Sequence, residues 1–184
     1  MTRSLTRPLL IAGLLIATLA LPVTRSMAQD SGAISTYRSE RHGFALSYPT
    51  GQFIALPSAT EDGRQFVSVD GSARLLVGTL PNFDNKSLRD YRTFVLSESY
   101  PGAKVDYAPV RDTWFVVSGT RNGMAFYQRV NFTCGGRSIN SWAVVFPESQ
   151  KAVYEPIIDQ MHRDYRLGNG NCSQRVTSAD RRTP

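Results

Sequence analysis

Two cysteines are the residues of this chain best placed to form a covalent bond. Cys134 begins a Cys-Gly-Gly sequence typical of a hairpin turn, and Cys172 follows the last predicted helix. In an exported protein, a pair of thiols in an oxidising compartment favours one disulfide. The alternative is two buried free thiols. A disulfide would tie the last helix to the preceding strands and would remove both sulfur atoms as nucleophiles.

The two histidines, His42 and His162, are the next candidates for chemistry. Neither has a cysteine or a carboxylate at a recognised metal-ligand spacing, and His162 is predicted on the solvated side of the final helix. Glu61 and Asp62 are adjacent acids, but Glu-Asp-Gly between strands is an ordinary turn sequence. No serine lies in the Gly-x-Ser-x-Gly pattern of hydrolases, although a triad assembled in space would escape that pattern. The sequence therefore predicts no catalytic, metal-binding or cofactor-binding residue.

Arg64 and Arg74 flank the sequence Asp70-Gly71, which is a strong hairpin signal. If the two arginines are cross-strand neighbours, they form a small patch for an anion or another ligand. The favoured interpretation is that they are solvated arginines, which deter strand edges from pairing with other molecules.

The positive charge of the chain lies mostly at its ends. The whole sequence has 21 Lys and Arg residues, 15 Asp and Glu residues and a net charge of +6. Six of the arginines lie in the first 28 or the last 12 residues: Arg3, Arg7, Arg25, Arg175, Arg181 and Arg182. The remainder is nearly neutral, so it lacks the electrostatic attraction that drives phosphate-backbone binding. We expect no nucleic-acid partner.

The N-terminus has the pattern of a cleaved export signal. Arg3 and Arg7 precede an apolar run of 13 residues from Leu9 to Leu21, and Ser26-Met27-Ala28 supplies the small residues for cleavage. A run of this length is too short for a membrane-spanning helix, which needs about 20 residues, so an uncleaved anchor is disfavoured. We expect a mature periplasmic or secreted protein that starts at residue 29 and is not inserted in the membrane.

The mature chain is predicted to form one domain. We predict a flexible leader over residues 29–36, a single domain over 37–172 and a disordered basic tail over 173–184. Alternating apolar residues and turn sequences predict strands near residues 44–48, 53–56, 64–69, 74–79, 104–110, 114–120, 124–133 and 138–146. Helical spacing predicts helices near 87–100 and 153–167, with Ser87 as an N-cap, Pro156 in a first turn and Gly168–Gly170 as a helix end.

The three strands between residues 114 and 146 carry large apolar groups on both faces. In the middle strand, Phe126 and Val130 share one face, and Ala125 and Tyr127 share the other. A sheet with two apolar faces needs cover on both sides, and helices are the natural cover. The predicted fold class is therefore α+β, an antiparallel sheet flanked by helices on both faces.

The order of these elements resembles the PsbP-like fold. The matching sequences are residues 43–49 (Gly-Phe-Ala-Leu-Ser-Tyr-Pro), the hairpin at Trp114, and Phe146-Pro147 leading into residues 154–161. This fold is shared by the photosystem II subunit PsbP, a Ran-binding nuclear import factor and bacterial periplasmic proteins such as DcrB. The chain also looks like small secreted proteins of alpha-proteobacteria. The resemblance implies an antiparallel sheet between helices and a role in binding or assembly, and it transfers no functional residue.

Three functions follow, in order of preference. The first is a non-enzymatic periplasmic or secreted binding or envelope-assembly module with a protein partner in the cell envelope. The second is a carrier of a small molecule or anion, with a pocket between sheet and helix. The third is a small hydrolase. We expect the functional residues on the loops and edge strands of residues 58–74.

Overall fold

The computed structural model describes residues 33–39, 41–60, 62–167 and 172. The predicted signal over residues 1–28 and the predicted tail over 173–184 lie outside the described residues. The helix end predicted at residues 168–170 also lies outside them.

The described strands form two antiparallel sheets. The larger sheet has the order β3 (Phe53–Ala55), β4 (Gly63–Ser68), β5 (Arg74–Pro81), β9 (Ser138–Pro147), β8 (Met124–Thr133), β7 (Trp114–Arg121), β6 (Lys104–Tyr107). The smaller sheet has the order β1 (Ile34–Ser39), β2 (Phe44–Pro49), β10 (Arg166–Leu167). The helices are α1 (Leu88–Glu98) and α2 (Lys151–Asp164).

The two helices pack on opposite faces of the larger sheet. On one face, Tyr91 and Val95 of α1 are buried with residues of β7, β8 and β9: Phe115, Val117, Phe126, Val130 and Ile139. On the other face, Tyr154, Ile158 and Met161 of α2 are buried with Trp142, Val144 and Phe146 of β9. The smaller sheet completes this second layer with Phe44 and Leu46. The predicted α+β class, with helices on both faces of an antiparallel sheet, is confirmed.

Local sequence signals explain the turns that hold the sheet in register. Asn122 and Gly123 have φ angles of 50° and 75°, which is the left-handed geometry that a tight hairpin requires. At the start of α1, the Ser87 hydroxyl accepts a hydrogen bond from the Asp90 backbone N–H at 3.2 Å. The predicted hairpin and the predicted helix start are both present.

Three local predictions differ from the structure. Strand β1 begins at Ile34, inside the predicted leader, because its backbone pairs with β2 although its side chains are mostly polar. Helix α2 begins at Lys151 after a 3-10 turn, so Pro156 lies in the second turn rather than the first. The helix ends at Asp164, and the chain continues into the two-residue strand β10, which pairs with β2.

Neither α1 nor α2 has the length and apolar character needed to cross a bilayer.

Candidate functional site

The structure does not bring Arg64 and Arg74 together. With Asp70-Gly71 as the turn, Arg64 pairs with Val77 across β4 and β5, and Arg74 pairs with Val67. The two pairs are three residues apart along each strand, and side chains alternate between faces, so the arginines lie on opposite faces of the sheet. The two-arginine patch that the sequence suggested is therefore not formed.

A cavity of about 330 Å³ lies beside Arg64, between the loop at residues 57–60 and strands β4 and β5. Its lining includes Ser58, Thr60, Gln65 and Leu76. The Arg64 Nη1 donates to the Leu56 carbonyl oxygen at 3.2 Å, which fixes the side chain at this loop. The cavity overlaps the region of residues 58–74, where the sequence predicts the functional residues, and extends beyond it to Leu76 and Val77.

Helix α1 covers only part of its face of the larger sheet. The buried sheet residues beneath it all belong to β7, β8 and β9. On the same face of β3 and β5, three apolar side chains are exposed: Ile54 at 52%, Leu76 at 39% and Leu80 at 43%. Ile54 pairs with Val67 of β4, and Val67 pairs in turn with Arg74 of β5, which borders β9. We call the side chains of Ile54, Val67, Arg74, Leu76 and Leu80 the open face.

His42 and Asp62 form a contact at the start of β4. The His42 Nε2 lies 2.8 Å from Asp62 Oδ1, and Arg41 Nη1 lies 3.2 Å from the same oxygen. The carboxylate thus accepts from two basic side chains near a strand end, which holds the β1–β2 turn against the larger sheet. Glu61, which precedes Asp62 in the sequence, lies outside the described residues. Within the described ranges, no three His, Cys, Asp or Glu side chains are grouped as a metal site would need.

A second polar cluster lies on the opposite face from α1, beneath the C-terminal end of α2. The Arg129 guanidinium is half-buried between two aromatic rings, with Cζ 4.6 Å from the Trp114 ring centroid and 5.5 Å from that of Tyr165. Its Nε donates to Asn131 Oδ1 at 3.0 Å, and its Nη1 lies 2.9 Å from His162 Nε2. We call Trp114, Tyr127, Arg129, His162 and Tyr165 the arginine cluster.

The contacts of His162 indicate a neutral imidazole ring. A guanidinium only donates, and the Arg129 Nη1 lies 2.9 Å from Nε2 and 3.2 Å from Nδ1 of His162, so the ring accepts from Arg129. The Tyr127 hydroxyl oxygen lies 2.7 Å from Nδ1 and forms a hydrogen bond with it. Burial, together with the Arg129 and Arg163 charges, lowers the His162 pKa despite the opposing charge of Asp159. His162 is thus a neutral, half-buried group, and the prediction of a solvated histidine was wrong.

The aromatic members of the arginine cluster are held in their neutral forms. Burial raises the pKa of Tyr127 to about 12, although the nearby Arg129 charge opposes the shift. Burial also raises the pKa of Tyr165, again against Arg129. The Arg129 pKa is lowered because its guanidinium is partly removed from water. The cluster therefore carries one positive charge, on Arg129.

The sequence contained a partial signal for this cluster. Trp114, Tyr127 and Arg129 lie on adjacent strands at positions that alternation places on one face. Nothing local indicated that His162 of α2 would meet them, because that contact depends on how the helix crosses the sheet.

Cys134 and Cys172 form the predicted disulfide, which leaves no free cysteine among the described residues. It connects the turn between β8 and β9 to the chain beyond β10. Arg137 spans the same region, with Nε donating to the Cys134 carbonyl oxygen at 3.0 Å and Nη2 donating to that of Cys172 at 3.3 Å. Neither sulfur atom is available as a nucleophile.

Comparison with solved structures identifies the fold. The chain is similar to the cyanobacterial PsbP of Synechocystis sp. PCC 6803, with a TM-score of 0.56 and 12% identity over 79% of this chain and 99% of that one. It is similar to the Ran-binding protein Mog1p of Saccharomyces cerevisiae, with a TM-score of 0.53 and 12% identity over 74% of this chain and 96% of that one. No protein-family model matches the sequence, and no curated protein matches it either. The predicted resemblance to the PsbP-like fold is confirmed.

Proposed function

We propose that this chain is an exported, non-enzymatic protein-binding module of the cell envelope, and that its open face binds the partner. The observation that carries the proposal is the exposure of Ile54, Leu76 and Leu80 on a sheet face that α1 covers only in part. Large apolar side chains grouped on one exposed face are typical of interaction surfaces.

The fold supports a binding role. The similar protein Mog1p is described as Ran-binding, so a protein with this arrangement of sheet and helices binds another protein. The identity of 12% supports no transfer of partner or contact residues. The partner of this chain is therefore argued from its own surface.

The dimensions and charge of the open face suggest the chemistry of the partner. Its residues span strands β3 to β5, and neighbouring strands lie about 4.8 Å apart, so the face is roughly 10–15 Å wide. One α-helix with its side chains is about 10–12 Å across. The exposed Arg74 lies among the apolar residues. We infer an amphipathic helix of a protein partner, with an acidic residue that pairs with Arg74.

The cavity beside Arg64 provides an anchor point for the partner. Gln65 and Leu76 line this cavity, and Leu76 also belongs to the open face. In this proposal, a side chain of the bound helix enters the cavity between Leu76 and the 57–60 loop. Interfaces obtain much of their affinity from a few anchors of this kind.

Site-specific cross-linking in the native cells tests the proposal. A photoreactive amino acid placed at residue 54 or 76 is expected to capture one protein from both positions. The same substitution at Val153 is a matched control, because Val153 is 44% exposed and lies on α2, on the other side of the sheet. Capture of that protein equally from all three positions, or from none, would contradict binding at the open face.

The location and the lack of catalysis are parts of the same proposal. The signal pattern of residues 3–28 supports export, and the mature protein purified from envelope fractions is expected to start at Gln29. A panel of ester, peptide and glycan substrates is expected to show no turnover. Turnover that is lost on replacing a single Ser, His or Asp residue would instead establish the hydrolase alternative.

The carrier alternative no longer rests on Arg64 and Arg74, because the two lie on opposite faces. Their anion patch would have required both side chains on one face.

A further inference from the structure

Arg129 carries a charge that no described carboxylate neutralises at ion-pair distance. The salt bridges found among the described residues all involve other side chains. The Arg129 guanidinium is nevertheless half-buried between the rings of Trp114 and Tyr165. Removing a charge from water is costly unless an opposite charge accompanies it. This imbalance points to an anion that is not part of the described chain.

Two further donors beside Arg129 lack a hydrogen-bond partner among the described residues. They are the Trp142 indole Nε1 and the Tyr165 hydroxyl, on side chains that are 0% and 8% exposed. Trp142 is the register partner of Arg129 on β9, and its ring centroid lies 6.2 Å from that of Tyr165. An unpaired buried donor is costly. Two buried donors without an acceptor in the described part of the chain therefore belong to residues that neighbour the half-buried Arg129.

We propose that Arg129, Trp142 and Tyr165 bind the carboxylate of a small organic acid. The Arg129 Nε and Nη1 already contact Asn131 and His162, and no hydrogen bond joins Nη2 to a described residue. A carboxylate bonds to a guanidinium in the guanidinium plane. In that plane it occupies the layer between the aromatic rings and accepts from the indole N–H and the tyrosine hydroxyl.

The charge balance of the cluster favours a monoanion. Arg129 supplies one positive charge, and His162 adds none because its ring accepts from Arg129. Asp159 lies close enough to influence the His162 pKa, so its negative charge opposes a second negative charge on the ligand. A phosphate dianion would remain half-neutralised in this site. A carboxylate is matched by Arg129 alone.

The indole N–H signals of the two tryptophans provide a direct readout by NMR. Trp114→Phe and Trp142→Phe variants assign the two signals. Titration of the full disulfide-bonded chain with acetate, at constant ionic strength, is expected to shift the Trp142 signal saturably in the millimolar range. Hydrogen bonding to the carboxylate is the reason for the shift.

Matched variants separate the site from a general effect of salt. Arg129→Gln is expected to weaken acetate binding at least tenfold, and Tyr165→Phe about fivefold, which is the loss of one hydrogen bond. Arg92→Gln and Tyr91→Phe make the same changes on α1, on the other face of the sheet, and are expected to leave the acetate affinity unchanged. If Arg129→Gln does not fold, Tyr165→Phe decides the test.

Four results would overturn the proposal. They are the absence of a saturable shift, an equal shift with chloride or phosphate, an affinity unaffected by Tyr165→Phe in the folded protein, and tighter binding of an N-acetylated peptide than of acetate. The second result would indicate an unselective anion site or an adventitious ion only. The fourth would assign the carboxylate to the C-terminus of a peptide rather than to a small organic acid.

Discussion

The guanidinium of Arg129 lies over the indole ring of Trp114, with Cζ 4.6 Å from the ring centroid. The two residues belong to neighbouring strands and project from the face that α2 covers. A cation over an aromatic ring in a partly desolvated place contributes about 1–2 kcal/mol. Trp114 therefore stabilises the charge that the arginine cluster holds.

This contact predicts an energetic coupling between Trp114 and Arg129. A double-mutant cycle with Trp114→Leu and Arg129→Gln, followed by denaturant unfolding, is expected to give a coupling of about 1 kcal/mol. Either single substitution should remove most of the interaction energy between the ring and the guanidinium. Additivity within about 0.3 kcal/mol would show that the ring and the guanidinium act independently.

The neutral state of His162 predicts a pH dependence of stability. Its pKa in the folded state is lowered by burial and by Arg129, so the unfolded state binds the proton more readily. The stabilising contribution of neutral His162 is complete above the ordinary value of 6.5, and it is lost as the pH falls through the lower folded pKa.

The His162→Gln variant isolates this contribution. The difference in free energy of unfolding between the wild type and the variant is expected to shrink as the pH falls from about 7 to about 5. Urea unfolding of both proteins across this range measures the difference. A difference that stays constant or grows toward acidic pH would contradict the assigned neutral state.

Gly119 allows β6 to approach β7. A Cβ atom at this position would overlap the Lys104 carbonyl oxygen and would lie 3.0 Å from Cζ of Phe126. Gly119→Ala is therefore expected to destabilise the protein by about 2–3 kcal/mol and to speed amide exchange in β6. Gly78→Ala is the matched control, because its Cβ would lie 3.5 Å from the nearest atom, the Asp62 carbonyl oxygen. Equal effects of the two substitutions would refute the steric argument.

The disulfide links positions that are 38 residues apart in the sequence. In the loop-entropy description, such a link stabilises the folded state by about 4 kcal/mol. A Cys134→Ser, Cys172→Ser double variant is expected to unfold at a correspondingly lower denaturant concentration. Reduction of the wild-type protein should reproduce the shift and add two hydrogens to its mass. Identical unfolding of oxidised and reduced protein would argue against this stabilisation.

The features that the sequence predicted are those encoded by neighbouring residues. Asn122-Gly123 specifies a tight turn by itself, and Ser87 begins α1 through a bond to a backbone group three residues away. The alternation along β8 indicated which residues face each helix. The disulfide was predicted from the presence of two cysteines in a protein with an export signal, and that argument did not need the distance between them.

The features that the sequence did not predict depend on how distant segments pack. Arg64 pairs with Val77, and Arg74 pairs with Val67, three positions away along the strands. Because side chains alternate between faces, this odd number of positions places the two arginines on opposite faces of the sheet. The contact between Arg129 and His162 requires α2 to cross β8 at a particular position. Likewise, the uncovered part of the sheet becomes visible only once α1 is placed over β7 to β9.

The most direct test of the account is the affinity of the cross-linked partner, once isolated, for purified variants of the mature protein. Leu76→Arg places a charge on the open face and is expected to weaken binding at least tenfold. Val153→Arg makes an equivalent change at a similarly exposed apolar residue on α2 and is expected to leave the dissociation constant unchanged. Unchanged affinity for folded Leu76→Arg, or an equal loss in both variants, would contradict the claim that the open face binds the partner.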